Sequence, residues 1–165
     1  MYFWRKLSEK DRELVLAERK ARKLPFHSPP HIEFEGRTRY LITATCFEHK
    51  HIIGHSLERM AECEAGVLEV CQKLNAEVFA WCILPNHYHF LAQTNDLDAL
   101  TKSLGKFHGS SSFEWNGAEN TRGRQVWCKC FSRSIRSERH FWATVNYVHQ
   151  NKSGPNSWLL NTILW

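Results

Sequence analysis

Two histidines one residue apart, His87 and His89, lie within the stretch WCILPNHYHFLAQT spanning residues 81–94. Side chains alternate along a β-strand, so both imidazoles point to one face and Tyr88 points to the other. Imidazole is the commonest nitrogen ligand of divalent metals, and two on a rigid strand supply half of a metal site. A lone pair of this kind is more simply read as ordinary strand histidines in a polar cleft, so its company decides. That company stands some sixty residues on, where Tyr147 and Asn151 are spaced i and i+4 in a helical segment and share one face. A helix laid across the sheet brings a phenol and an amide oxygen to a metal held by His87 and His89. A phenol of pKa about 10 is a weak nucleophile at neutral pH. A metal that polarises a phosphate target compensates, because phosphoryl transfer depends on positioning and charge neutralisation.

The elements that must position these groups are legible in order. Ser8 and Asp11 form a capping box for a short basic helix, with Leu7, Leu14, Leu16 and Ala17 as its modest apolar face. Residues 24–37, with Pro25, Pro29, Pro30 and Gly36, read as an arm. Residues 40–47 are β-branched and aromatic and predict a first strand. His49, His51 and His55 follow in a loop. Ser56 caps a helix to about Leu74, with Glu58, Glu62, Glu64 and Glu69 as a solvated outer face. Residues 77–84 form a second strand, the Pro85-Asn86 turn follows, and residues 87–94 form a third. Asp96 or Asp98 opens a helix through Phe107. Residues 109–125, rich in Gly, Ser and Asn, read as a flexible connection. Residues 126–135 alternate as a fourth strand, with Val126, Cys128, Cys130 and Ser132 on one face and Trp127, Lys129, Phe131 and Arg133 on the other. Trp127 is either a stacking surface or part of the sheet's core. Ser137-Glu138 opens a last helix with the stripe Phe141, Val145 and Val148.

This order predicts an α+β, ferredoxin-like βαββαβα sandwich: a four-stranded antiparallel sheet with helices on one face, preceded by the basic helix and arm. The first and third strands are then central, which sets the histidines on the most rigid platform available. The expected organisation is residues 1–37 as helix and arm, 38–152 as the catalytic domain and 153–165 as an apolar tail.

Composition bounds the partners. At 165 residues and 42% hydrophobic, the chain suits one globular core rather than a disordered segment. No apolar run is long enough to span a membrane, and the N-terminus carries no signal-peptide pattern. Six cysteines without a secretion signal read as free thiols, although Cys128 and Cys130 leave a zinc site open. Residues 99–139 carry eight Lys/Arg against three acids, whereas residues 45–78 carry three against six. A polarised basic surface with aromatics interleaved suits a phosphate backbone.

The residues also carry a resemblance. LPNHYHF at 84–90 resembles the His-hydrophobe-His signature and preceding turn of HUH single-tyrosine transposases. NYVHQN at 146–151 resembles the later tyrosine segment of that family, and residues 126–138 resemble the strand and basic loop leading to it. The nearest likeness is to REP-associated tyrosine transposases. It implies that His87 and His89, with Asn151 as third ligand, hold Mg²⁺ or Mn²⁺, and that Tyr147 attacks a phosphate of single-stranded hairpin DNA. The product is a 5′-phosphotyrosine link that a 3′-OH can reverse. Lys102, Lys106, Arg122, Arg124, Arg133, Arg136 and Arg139 then supply the phosphate-contacting surface. The resemblance implies a prokaryotic, cytoplasmic, nucleoid-associated enzyme, and leaves monomer and homodimer both open. A non-transposing DNA-binding regulator on the same fold, and a zinc-dependent or RNA-binding protein, are the alternatives.

Overall fold

The computed structural model describes residues 8–21 and 37–151; the arm and the apolar tail read from the sequence lie outside them. The chain divides into two units, residues 1–34 and 35–165. Of the first, helix α1 (Glu9–Ala21) is described. Asp11 donates its backbone N–H to Ser8 Oγ at 3.2 Å while the Ser8 hydroxyl donates to Asp11 Oδ2 at 2.6 Å, so Ser8 caps the helix, with Asp11 bonded to its hydroxyl.

The second unit contains β1 (Thr38–Thr45), α2 (Leu57–Lys73), β2 (Glu77–Leu84), β3 (His87–Thr94), α3 (Leu97–Ala118), β4 (Phe131–Ile135) and α4 (Glu138–Gln150). The strands pair antiparallel in the order β2-β3-β1-β4, so β1 and β3 are central, as the ferredoxin-like reading requires. Ser56, Asp96 and Ser137 each cap the following helix, accepting from the N–H of Arg59, Ala99 and His140. Among the described residues, no helix is long and apolar enough to cross a membrane.

The α+β class holds, with one correction of detail. Helices α2 and α3 share one face, where Ile42, Tyr88, Phe90, Leu100, Leu104 and Val67 form the main core. Helix α4 packs on the opposite face, because its stripe Phe141, Val145 and Val148 finds a second apolar surface there in Ala80, Cys82, Leu91 and Ile135. Both faces of the central strands therefore carry apolar positions, and each needs a cover. A bulge between Val78 and Ala80 brings Phe79 to the α4 side, where its ring meets Phe141 edge-on at 5.1 Å.

Three local expectations are overturned by packing. Residues 109–118, read as a flexible connection, continue α3. Their poor helix propensity is offset by burial of Ser111, Trp115 and Asn116, and the Ser111 and Ser112 hydroxyls donate back to the His108 carbonyl. The fourth strand starts only at Phe131. Val126 and Trp127 are both buried in the main core instead of alternating, and Trp127 touches the sheet through an isolated bridge to Cys46. Trp127 stacks on His108 with centroids 4.3 Å apart, so of its two expected roles it takes the core one. Glu64, placed on a solvated face by the sequence, is buried and accepts from Trp81 Nε1 at 2.8 Å. A buried polar atom needs such a partner, and a helical wheel does not reveal one from a distant strand.

Candidate active site

The site begins with the turn before β3. The Cys46 backbone N–H donates to the Asn86 carbonyl at 2.8 Å, and Gly54 N–H donates to the Pro85 carbonyl at 2.8 Å. A Cβ at Gly54 would collide with the Pro85 ring, so only glycine admits this approach. The turn is thus clamped from two sides before His87 begins the strand.

From there β3 alternates as expected. Tyr88 turns to the main core, fully buried, with its hydroxyl 2.8 Å from His108 Nε2. His87 and His89 turn to the α4 face, with ring centroids 4.7 Å apart. Each has its Nδ1 engaged: His87 by Asn86 Oδ1 at 2.7 Å and His89 by Thr43 Oγ1 at 2.7 Å. The Asn86 amide nitrogen donates to the His49 carbonyl, so its oxygen faces His87 and can only accept. His87 therefore carries its proton on Nδ1 and leaves Nε2 bare. The Thr43 hydroxyl can accept from Nδ1–H of His89, and in that tautomer the second Nε2 is bare too. Outer partners of this kind set the tautomer and orientation of metal-binding histidines. Neither Thr43 nor Asn86 was singled out from the sequence as a positioning group. Only the β1–β3 register, Thr43 opposite His89, reveals the former.

Burial pushes the pKa of both imidazoles down, that of His89 to about 4, each with a smaller contribution from a neighbouring imidazole (His49 for His87, His87 for His89). Both are neutral at physiological pH, the form that ligates a metal.

Helix α4 brings Tyr147 to this pair. The Tyr147 hydroxyl stands 3.5 Å from His89 Nε2, with ring centroids 5.4 Å apart. The residue is 48% exposed. Asn151 caps the end of α4, its backbone N–H donating to the Tyr147 carbonyl at 3.1 Å. Its side-chain nitrogen is buried without a hydrogen-bond partner. The amide stands one turn beyond the phenol, and it is its oxygen, not this nitrogen, that could ligate a cation. Among the described residues no three His, Cys, Asp or Glu side chains converge. The zinc reading at Cys128 and Cys130 thus finds no such cluster there.

The basic residues divide between the two layers. Arg133 projects from β4 opposite Leu41, on the histidine face, and Arg136 and Arg139 are exposed at and just before the start of α4. Lys102 and Lys106 are exposed on α3, the layer across the sheet. Arg122 is also exposed, but its guanidinium lies over the Phe113 ring, 4.0 Å from the centroid. Arg124 is committed internally: it pairs with Glu119 at 2.9 Å and donates to Asn116 Oδ1, while Glu119 also pairs with buried Arg59. Hydrogen bonds from Arg124 lead the effects that hold the Glu119 carboxyl down at about 2.

The family model described as "Transposase IS200 like" matches residues 38–151. Among solved structures, the chain is similar to a REP-associated tyrosine transposase bound to a REP hairpin, with 14% identity and a TM-score of 0.58 over 77% of this chain and 73% of that one. It is also similar to a provisionally described transposase from Deinococcus radiodurans R1, with 12% identity and a TM-score of 0.48 over 73% of this chain and 95% of that one. No curated protein matches.

Proposed function

Because the chain belongs to the IS200-like transposase family, we propose that it nicks and rejoins single-stranded DNA through a covalent phosphotyrosine, with Tyr147 as nucleophile. The observation that carries this reading is the Tyr147 hydroxyl 3.5 Å from His89 Nε2, across the gap between α4 and the central strand. His87, His89 and Asn151 are the residues that would hold Mg²⁺ or Mn²⁺. When bound there, such an ion supplies charge neutralisation at the scissile phosphate.

The chain's own groups do the rest. Thr43 and Asn86 engage Nδ1 of the two imidazoles, so Nε2 is the atom each can offer to an ion. Helix α4 brings the phenol to 3.5 Å from His89 Nε2. The Tyr147 oxygen attacks phosphorus, the phenol proton passes to solvent, and a P–O bond forms as the bond to the 3′ oxygen breaks. The 3′ oxygen takes up a proton, and the 5′ phosphate remains on Tyr147. Bond energy is retained in the phosphodiester to tyrosine, so a 3′-OH can reverse the step without ATP. Arg133, Arg136 and Arg139 lie on the side of the sheet where the DNA backbone would pass, and their charge favours it. The REP hairpin on the similar solved structure favours hairpin-bearing repeat DNA as the substrate class.

The test is incubation with labelled single-stranded hairpin DNA and Mn²⁺, followed by denaturing electrophoresis. A covalent adduct forms with the parent protein, and Tyr147→Phe abolishes it. An adduct that persists in that variant assigns the nucleophile elsewhere.

A further inference from the structure

The face of the sheet that carries the histidines is only partly covered. Helix α4 packs mainly on β2 and β3. On central strand β1 the residues facing the other way, Tyr40, Ile42 and Ala44, are buried, while Leu41, Thr43 and Thr45 on the histidine face are only half-buried. The histidine face over β1 is therefore left partly open beside the site.

One row of side chains crosses it. Cys82, His89, Thr43 and Phe131 are in register on the four strands, Cys82 opposite His89, His89 opposite Thr43, and Thr43 opposite Phe131. Phe131 ends that row and is 46% exposed. Two strand spacings put it about 10 Å from His89 along the sheet. Arg133 lies two residues on, exposed on the same face, and Lys129 is exposed just before it. Phe131 is thus a large apolar ring on an edge strand with a cationic residue two positions away on either side in sequence.

We infer that Phe131 is a stacking platform for a nucleobase of the DNA strand next to the scissile phosphate, with Arg133 meeting the adjoining phosphate. This rests on the proposed DNA reading and adds where the strand runs: across β1 to the β4 edge, not along α3. Base–aromatic stacking tolerates any base, so the platform positions the strand without reading its sequence. Charge complementarity selects the occupant, since Lys129 and Arg133 flank the ring on a chain whose partner carries phosphates.

The experiment uses the full chain carrying Tyr147→Phe, which blocks cleavage, and a fluorescent DNA hairpin with single-stranded oligo-dT flanks. Binding is measured for Phe131, Phe131→Leu and Phe131→Tyr forms, on intact flanks and on flanks with one abasic site moved stepwise. Phe131→Leu should weaken binding roughly 10-fold. Phe131→Tyr should restore it. One abasic position should remove the difference between Phe and Leu. Equal affinities for Phe131 and Phe131→Leu overturn the platform and leave the DNA reading intact. So does a loss that no abasic position removes, or a variant that alters self-association while its DNA affinity is unchanged. If the parent protein binds no hairpin, the DNA reading itself falls.

Discussion

Replacing Thr43 by valine removes one hydroxyl, keeps the β-branched shape, and isolates the 2.7 Å hydrogen bond to His89 Nδ1. His89 is 6% exposed, so water does not replace the lost partner. A buried donor left unsatisfied costs about 1–3 kcal/mol. The pKa of His89 is already pushed down to about 4 by burial and by His87, so at neutral pH the ring does not respond by charging. It responds by moving its proton from Nδ1 to Nε2, where the Tyr147 hydroxyl at 3.5 Å can accept it. That tautomer fills the lone pair a metal needs. Binding Mn²⁺ must then reverse the tautomer and leave the orphaned N–H in place, so affinity falls by roughly 10- to 100-fold. Thr43→Ser keeps the hydroxyl and should recover most of the loss. The assay is Mn²⁺ titration of the full chain, with nitrogen NMR of His89 to read the tautomer. A valine variant that binds Mn²⁺ within about twofold of the parent, with its tautomer unchanged, would refute this account of the site.

Other perturbations reach different parts of the same structure. Gly54→Ala sets a methyl against the Pro85 ring; it should destabilise by about 1–3 kcal/mol and lower Mn²⁺ affinity by shifting His87, and an unchanged melting temperature and affinity would rule out the clamp. His89 and His108 are each held down at about 4, with burial the largest cause. Below pH 6.5 the unfolded chain takes up protons that the folded chain refuses, so stability should fall between pH 6.5 and 5 by about 2 kcal/mol per imidazole. His108→Gln should lessen that slope in urea titrations, and a flat profile from pH 7 to 5 would contradict it. Charge reversal at Arg133, Arg136 and Arg139 should lower the salt slope of DNA binding and spare the melting temperature. Arg124→Ala should do the reverse, losing about 1–3 kcal/mol of stability because Glu119 loses one of its two cationic partners and Asn116 Oδ1 loses its donor.

Local rules carried the sequence reading wherever one residue's neighbours along the chain decide its conformation. Strands β2 and β3 run over the expected residues, 77–84 and 87–94. The caps at Ser8, Ser56, Asp96 and Ser137 all form. Period-two alternation sufficed to send His87 and His89 one way and Tyr88 the other. Helical spacing sufficed to put Phe141, Val145 and Val148 on one buried stripe. Residues 109–118 failed that logic because weak helix formers were held by contacts with Trp127 and Arg124 from outside the helix.

What alternation along one strand leaves undetermined is which residue stands across from it on the next. Thr43 beneath His89, Phe131 at the end of the same row, and Arg124 turned inward toward Glu119 all depend on register and on packing between distant segments. The sequence by itself therefore determined the types of group available for metal and phosphate chemistry and the face each takes on its own element. Tertiary structure decided which helix covers that face and how much of it stays open. It also decided which hydrogen bonds set the protons on the imidazoles. A side chain's direction is a property of its own backbone, whereas its partner is a property of the whole fold.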